Sequence, residues 1–352
     1  MNNVGVVYLA RAAEGEAPVK RFIDSYSSHI AGIPHDLIVV LKGFDDRNRG
    51  RQISDLFRDI AHVSVQMEDV GYDIGAYFHV ARSTAYETLC FLNSFSEVAA
   101  KDWLRSMCGA LNAPGVGLVG ASGSYESIQD TTQVFMRLCW LLNEERVRVS
   151  PRLRDRFEFL FQPDTDPRWL ADASMVSIGA DDAVALNYFR DLDAERRFRV
   201  YWQKRISTDL AYVLDFPHFP NAHVRSNGFM IRRATLLSLF PDTDTSDKRA
   251  AYNFECGSSS LTRRIKASGA AAMIVDSTGR AWPEGQWAKS NTFRLGRQNG
   301  LLIRDNQTAR YEGCCAAAQK SYQAMTWGLV AYDTPFMNDS RFWSPSQPIS
   351  GA

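Results

Sequence analysis

Uninterrupted runs of apolar and β-branched residues recur along the first hundred residues, and no other feature limits the possible folds of this chain as strongly. The predicted strands cover 4–10, 35–44, 62–67 and 88–94, and the predicted helices between them cover 18–30, 51–60 and 75–85. Strands that are apolar throughout, rather than at alternate residues, are typical of a parallel sheet covered on both faces. The sequence therefore predicts an α/β, Rossmann-like fold with a central, mostly parallel sheet and helices on both faces.

The strand-and-helix pattern stops and later resumes, which predicts three parts within one domain. Residues 1–130 form the first half of the sheet, and 131–214, mostly helical in period and rich in Arg, Asp, Phe and Trp, form a helical insertion. The sheet pattern returns in 215–345, with a strand and helix over 226–240, a helix over 261–269 and a strand over 271–277. Glycine is favoured directly after a helix end, and Gly269 is in that position in the predicted helix.

Charge and cysteine content exclude several classes of protein. Lys and Arg total 40 of the 352 residues and Asp and Glu also total 40, so the formal net charge is zero, which disfavours nucleic acid as a partner. We expect no membrane span, since no apolar run approaches the required length, and no signal peptide, since the N-terminus lacks a basic start and an apolar core. None of the six cysteines forms a CxxC pair, so the sequence predicts a cytoplasmic protein.

The usual phosphate-binding loops are missing. The first predicted strand is followed by ARAAEGE rather than GxGxxG, and no GxxxxGK[ST] occurs anywhere in the chain. NAD, FAD and ordinary P-loop nucleotide binding are therefore disfavoured.

Acidic residues follow the third predicted strand, in the segment EDVGYDIGAY (68–77). Open α/β folds bind ligands at the carboxyl ends of their strands, so Asp69 or Asp73 could hold the base or ribose of a nucleotide. The structural alternative is that Asp73 is simply the N-cap of the following helix, next to turn glycines.

Two later segments offer further polar groups. His223, Arg225 and Asn227 precede an apolar strand and could contact an acceptor or a phosphate, although histidines near prolines are often ordinary loop residues. Glu255 is expected on a loop just ahead of a helix, where the positive helix end would keep it ionised and able to accept a proton. A capping carboxylate is the alternative for Glu255.

The polar and aromatic tail after Trp282 carries a basic cluster. Arg294 and Arg297, with Lys289 nearby, could bind phosphate oxygens through guanidinium groups and replace a metal ion. The alternative is a solvated surface with extended arginine side chains.

In order and spacing, five segments resemble a glycosyltransferase of the GT-A type, and more narrowly the rhamnan-synthesis F-like group of bacterial polysaccharide enzymes. The segments are GYDIGAY (71–77), CFLNSFSE (90–97), GLVGASGSYES (117–127), HVRSNGFMIRR (223–233) and FECGSSSLTRRIKASG (254–269). The resemblance covers about two thirds of the chain and implies transfer of a hexosyl or deoxyhexosyl group from a nucleotide-diphosphate sugar to a hydroxyl of a glycan.

The resemblance also implies roles for individual residues. Glu255 would be the general base of an inverting reaction. The residues implied to bind the nucleotide-sugar donor lie at the ends of the first, third and fourth strands: Tyr8, Ala10, Arg11, Asp69, Tyr72, Asp73, Asn93 and Ser94.

The chain departs from the GT-A pattern where a DxD motif would hold a divalent metal on the diphosphate. Asn93 and Phe95 occupy the first and third positions of that motif, and a neutral amide does not replace two carboxylates. A Mg or Mn cofactor is therefore not supported, and we predict transfer that is independent of metal or weakly dependent on it. The alternative for this segment is a strand that ends in a helix cap at Ser94 or Ser96.

Three other functions remain open at the level of sequence. A nucleotidyltransferase or another nucleotide-sugar enzyme on a similar sheet would usually need a glycine-rich loop after the first strand. A catalytically inactive GT-A-like domain that binds glycan or a partner protein is compatible with the missing DxD. A sugar transferase acting on modified nucleic acid would need a basic face, which the arginines of 146–156 and 196–199 could supply, although their acidic neighbours favour a solvated helix.

Overall fold

A computed structural model of the chain describes residues 3–44, 47–130, 216–241, 248–314 and 316–328. Within these ranges the central sheet has eight strands in the order β11-β10-β6-β9-β4-β1-β2-β3. The strands, including two short pairs outside the central sheet, are β1 (Val4–Arg11), β2 (Asp36–Lys42), β3 (His62–Met67), β4 (Thr88–Leu92), β5 (Glu97–Val98), β6 (Val116–Gly120), β7 (Gly123–Ser124), β8 (His223–Val224), β9 (Gly228–Arg232), β10 (Ala271–Val275), β11 (Ala281–Pro283) and β12 (Ile303–Arg304).

Strand direction divides the central sheet into two parts. β3, β2, β1 and β4 are parallel neighbours, as are β6 and β10. β9 lies between β4 and β6 and runs antiparallel to both, and β11 pairs antiparallel with β10 at one edge. Outside this sheet, β5 pairs with β12 and β7 with β8.

Helices cover both faces of the sheet. They are α1 (Glu16–Ser28), α2 (Arg47–Leu56), α3 (Tyr72–Ser83), α4 (Trp103–Leu111), α5 (Arg233–Leu239), α6 (Lys248–Cys256), α7 (Leu261–Ala267), α8 (Asn306–Gly313) and α9 (Ala316–Trp327). In β1, Val7 and Leu9 face a core shared with α3, α5, α6 and α7. Val6 and Tyr8 face the opposite core, shared with α1, α2 and α4. Two cores explain why the strand is apolar at consecutive residues.

The predicted α/β fold is therefore confirmed. The helix predicted over 261–269 ends two residues early, at Ala267, and Gly269 follows it with a φ of 82°, as its position after a helix suggested. The proposed helical insertion at 131–214 lies outside the described residues. None of the helices in the described ranges is long and apolar enough to cross a membrane.

Candidate functional site

The carboxyl ends of the parallel strands bring charged residues together at one edge of the sheet. Arg11 ends β1 and is in register with Lys42, which ends β2, and Lys42 is in register with Met67, which ends β3. The loop after β3 carries Asp69, and α3 begins directly after that loop. We call Arg11, Glu14, Lys42, Asp69 and Asp73 the amino-terminal rim.

Arg11 and Asp69, both predicted to bind the nucleotide-sugar donor, are paired with each other. Arg11 Nε lies 2.9 Å from Asp69 Oδ1, and Arg11 Nη2 donates to Asp69 Oδ2 at 3.0 Å. The bonded guanidinium lowers the pKa of the Asp69 carboxyl, so that carboxyl is ionised at neutral pH. Each side chain is 33% exposed, so a ligand can still approach the pair.

Lys42 is a site residue that the sequence interpretation missed. Its side chain is fully buried, its Nζ donates to the Tyr72 carbonyl oxygen, and that Nζ lies 3.7 Å from Asp69 Oδ1. Burial lowers the pKa of the Lys42 ammonium, while the negative charges of Asp69 and Asp73 oppose that change. The only sequence signal was a lysine at the end of an otherwise apolar strand, LIVVLK.

Asp73 is not a helix cap. The N-cap of α3 is Gly71, in the left-handed conformation and without a side-chain cap, and Asp73 is the second residue of the helix. The capping alternative is therefore wrong, because the helix begins earlier than the pattern indicated. Burial raises the pKa of the Asp73 carboxyl, and Lys42 and Arg11 oppose the rise.

Glu14 is the second residue that the sequence interpretation missed. It ends a short 3-10 helix, Ala12–Glu14, directly after β1, and one of its oxygens lies 3.9 Å from Arg11. Its Oε2 is buried without a hydrogen-bond partner among the described residues. Burial raises the pKa of the carboxyl to about 7, against the effect of a hydrogen bond from Ser94. The only indication in the sequence was an acidic residue three positions after Arg11, the last residue of the first strand.

Two residues predicted to line the nucleotide site are largely enclosed by the core. Tyr8 stacks on Phe22 with ring centroids 3.7 Å apart, and its hydroxyl donates to the Ser94 carbonyl oxygen at 3.0 Å. Ala10 is fully buried in the same core. Tyr8 therefore reaches the edge only through its hydroxyl, and Ala10 only through its backbone.

The Asn93 side chain closes a turn with the residues that follow it, so its oxygen is not free to bind a ligand. Its Oδ1 accepts from the Phe95 amide at 3.1 Å and from Ser96 Oγ at 3.0 Å, so both lone pairs are used. The segment continues into the strand β5, which makes the predicted helix cap at Ser94 or Ser96 wrong. The residues at the DxD-equivalent position thus do not fit a divalent cation. In the described ranges, no group of three His, Cys, Asp or Glu residues could hold a metal.

Glu255 lies in the last turn of α6, not on a loop ahead of a helix as expected. The negative end of a helix dipole does not help to ionise a carboxyl, so that part of the sequence argument was wrong. Its Oε2 instead accepts from the Ser226 amide at 3.0 Å and from the Ser226 hydroxyl. The Tyr77 hydroxyl donates to the Ser226 carbonyl oxygen at 3.2 Å and fixes the same residue from the other side.

The segment Ser226–Asn227 joins Glu255 to the end of β4. The Asn93 amide donates to the Asn227 carbonyl oxygen at 3.3 Å, and Ser96 Oγ donates to the same oxygen at 2.7 Å. The charge of Glu255 also contributes to raising the pKa of Asp73. The structure therefore brings Glu255, Asn93 and the amino-terminal rim to one edge of the sheet.

The three residues predicted to bind the acceptor are buried. Burial lowers the pKa of the His223 imidazole, whose Nδ1 lies 2.7 Å from the Asn221 carbonyl oxygen. Asn227 Oδ1 accepts from Ser122 Oγ at 3.2 Å. Arg225 donates to Asp305 Oδ2 at 2.7 Å. The side chains of these three residues are buried and bond other protein groups. Direct contacts with an acceptor would therefore have to come from the backbone of this segment or from Ser226.

Arg294 is also buried, which the sequence did not indicate. Its guanidinium donates to Glu126 Oε2 at 3.0 Å and to Gln307 Oε1 at 2.7 Å, and it lies over the Phe293 ring. Arg225 lies over the same ring. We call the pairs Arg225–Asp305 and Arg294–Glu126 the buried ion-pair cluster. Arg297, predicted to act with Arg294, is exposed.

No family model matches this chain, and no curated protein matches it. Solved structures that resemble it include a mannosyltransferase and a synthetase complexed with CTP. Mannosyltransferase PcManGT from Pyrobaculum calidifontis, in complex with GDP-Man and Mn2+, is 13% identical over 60% of this chain and 85% of that chain, with a TM-score of 0.29. CMP:2-keto-3-deoxy-manno-octonic acid synthetase complexed with CTP is 11% identical over 78% and 89%, with a TM-score of 0.35.

A third similar structure is TarS 1-349 from S. aureus. It is 15% identical, with 33% of this chain covered and a TM-score of 0.27. The match covers 34% of the TarS chain, about a third of its length.

Proposed function

We propose that this protein is a glycosyltransferase that uses a nucleotide-diphosphate sugar, with Glu255 as the general base. One observation carries the proposal. Glu255 accepts from Ser226 and the Asn93 amide donates to the neighbouring Asn227, at the sheet edge that also carries the amino-terminal rim. This arrangement supports a single site for a proton acceptor and a set of groups suited to a nucleotide.

The amino-terminal rim supplies what a nucleotide-sugar donor needs. The partly exposed Arg11 offers a guanidinium, which binds phosphate oxygens well, and the ionised Asp69 can accept from ribose or base. Positive charge here would stabilise the nucleoside diphosphate as it leaves. We assign donor binding to this rim together with Tyr72 and Ser94, and not to Arg294, whose guanidinium is buried and whose Nη1 and Nη2 bond Glu126 and Gln307.

Glu255 is held in the way a general base requires. One carboxylate oxygen, Oε2, accepts from the amide and hydroxyl of Ser226, which orients the group and leaves Oε1 to take a proton. In the proposed step the acceptor oxygen attacks the anomeric carbon, its proton passes to Glu255, and the bond from the sugar to the diphosphate breaks. Attack opposite the leaving diphosphate inverts the anomeric configuration.

The finer parts of the proposal rest on the sequence resemblance. They are a hexosyl or deoxyhexosyl group as the transferred sugar, a bacterial polysaccharide acceptor, membership of the rhamnan-synthesis F-like group, and a cytoplasmic site of action. In the same scheme, residues 1–130 bind the nucleotide sugar and 215–345 supply the base. Because both lone pairs of Asn93 Oδ1 are used, we propose that transfer does not depend on a metal at that position.

The test is a panel of nucleotide sugars, each assayed for thermal stabilisation of the protein and for release of nucleoside diphosphate. We expect at least one donor to raise the unfolding temperature, because a ligand selective for the native state stabilises it. We expect turnover to persist in excess chelator, whereas complete loss that manganese restores would overturn metal independence. Stabilisation without any release would favour the inactive binding domain, and no response to any donor would overturn the function.

A further inference from the structure

Lys42 is one of the most completely buried charged residues in the described parts of the chain, at 0% exposure. Removing a charge from water is costly unless the protein supplies compensating contacts. A methionine would fill a similar volume at the end of an apolar strand without that cost. The contacts made by the ammonium therefore indicate what the charge is for.

All of the compensating groups come from one short stretch after β3. The Lys42 Nζ donates to the Tyr72 carbonyl oxygen and lies 3.7 Å from Asp69 Oδ1. Asp73 contributes a third interaction through its charge. Gly43, the next residue, packs so closely on this stretch that a Cβ there would lie 2.8 Å from the Asp69 Cβ. Lys42 thus fastens the loop 69–72 to the end of β2.

The loop held by Lys42 presents apolar surface to solvent. Val70 is 59% exposed and Tyr72 is 39% exposed. Tyr72 also has a φ of 50°, in the left-handed region that residues other than glycine rarely adopt. The hydrogen bond from Lys42 goes to the carbonyl of this same residue, so a buried charge stabilises an unfavourable backbone conformation that keeps an aromatic ring at the sheet edge.

We propose that Lys42 is a positioning residue that holds Tyr72 and Asp69 so that they contact the nucleoside part of the nucleotide-sugar donor. An exposed aromatic ring offers a stacking face to a base, and the adjacent carboxylate accepts hydrogen bonds from ribose or base. The phosphates would instead meet Arg11. This inference rests on the proposed function and adds which part of the donor the loop recognises.

The experiment compares two probes on the full-length protein. The first is the tightest-binding member of a set of common nucleoside diphosphates, and the second is inorganic pyrophosphate, which lacks base and ribose. For Lys42→Met we expect the Kd of the nucleoside diphosphate to rise about tenfold and that of pyrophosphate to change less than about twofold. Lys20→Met, at an exposed lysine of α1 that pairs with Glu16, is the matched control and should change neither Kd.

A double-mutant cycle tests whether Lys42 acts through Tyr72. Tyr72→Ala should weaken nucleoside diphosphate binding to a similar extent, and the double variant should be no weaker than either single variant, since both remove the same contact. Tyr72→Ala removes an exposed ring, so it keeps the proposal testable even if Lys42→Met does not fold.

Three results would overturn the inference: unchanged nucleoside diphosphate binding by the Lys42→Met or Tyr72→Ala variant, equal weakening of both probes, or additive effects in the cycle. If the wild-type protein binds no nucleoside diphosphate, the proposed function falls and the inference with it. If the wild-type protein binds and the variants bind equally well, only the inference falls.

Discussion

The amino-terminal rim and the buried ion-pair cluster both combine arginines with carboxylates, yet the ion pairs of the two regions differ in exposure. Arg11 and Asp69 are each 33% exposed, whereas Arg225 and Asp305 are 9% and 0% exposed. Both regions contain buried polar atoms without a hydrogen-bond partner among the described residues: Glu14 Oε2 in the rim, and Glu126 Oε1 and Arg294 Nε in the cluster. In the cluster, each arginine is fixed by a carboxylate and covered by the Phe293 ring.

The difference teaches that arginine count alone does not locate a phosphate site. A guanidinium that is buried against a carboxylate cannot readily exchange that partner for a ligand, and removing the partner leaves an uncompensated charge. A guanidinium at a partly exposed edge can exchange water for a ligand. The rim is therefore the better candidate for binding, and the cluster the better candidate for stability.

The largest expected effect comes from substitution of Glu255. Its charge raises the pKa of Asp73 in the rim and that of His223 beside the cluster. Glu255→Gln keeps an oxygen to accept from Ser226 but removes the base, so we expect turnover to fall by about 10²- to 10⁴-fold with the fold intact. The control is Glu87→Gln, at an exposed acid just before β4 at the opposite edge of the sheet. Normal turnover by a folded Glu255→Gln protein would remove Glu255 from the mechanism.

The second prediction separates binding from stability. Arg294→Ala leaves Glu126 buried without its partner, so the free energy of unfolding should fall by about 3–5 kcal/mol, as measured by denaturant unfolding. Arg297→Ala, three residues along and exposed, should change it by less than about 0.5 kcal/mol. An Arg294→Ala protein of normal stability that has lost affinity for the nucleotide sugar would restore the role predicted from the sequence and break the comparison.

The third prediction concerns pH. The folded pKa of Glu14 is about 7 and its ordinary value is 4.5, so the folded protein holds the proton more tightly than the unfolded chain. Stability should therefore decrease as pH rises from about 4.5 to about 7, by an upper limit of about 3 kcal/mol from this group. The rim charges facing Glu14 act in both directions, with Asp73 and Asp69 raising the pKa and Arg11 lowering it.

The variant that checks this pH dependence is Glu14→Gln. It should be more stable than wild type near pH 8 and of equal stability near pH 4, because only the ionised carboxyl is unfavourable. Glu16→Gln, an exposed acid two residues along, serves as the control and should leave the pH profile unchanged. A Glu14→Gln profile parallel to that of the wild type would show that the carboxyl does not titrate in this range.

The smallest effect is expected at the exposed pair of the rim. Arg11→Gln should lower the free energy of unfolding by less than about 1 kcal/mol, since partly exposed ion pairs contribute little, salt screens them, and Asp69 keeps its contact with Lys42. Asp305→Asn in the cluster should cost more, because Asp305 both pairs with Arg225 and caps α8 through the Thr308 amide. Equal losses for the two variants, unaffected by salt, would show that the two regions do not differ as their exposure indicates.

The fold class could be predicted because its signals are local. Each apolar run of the first hundred residues became a strand, and 62–67 was predicted with the observed bounds. The antiparallel strand β9 between β4 and β6 could not be predicted in this way, because its position depends on pairing between residues about 140 apart, such as Cys90 with Met230. No helix was predicted in the tail after Trp282, whereas α8 and α9 lie within it.

The site was only partly predictable for a related reason. Residue type placed Asp69, Asp73 and Glu255 among the candidates, but burial decides their chemistry, and burial is not visible in a short motif. Lys42 was missed because a lysine at the end of a strand is ordinary until its neighbours are known. Arg294 was misjudged because its partner, Glu126, lies 168 residues away in the sequence.

The insertion of β9 between β4 and β6 also has a consequence for biosynthesis. A nascent chain of 120 residues contains β1 to β4 and β6, but the strand that bridges β4 to β6 begins only at Gly228. Until the ribosome has made that segment, both flanking strands keep open edges that can pair with other chains. Fragments that stop before residue 228 should therefore precipitate, and the cell should need to shield the emerging polypeptide until its second half is complete.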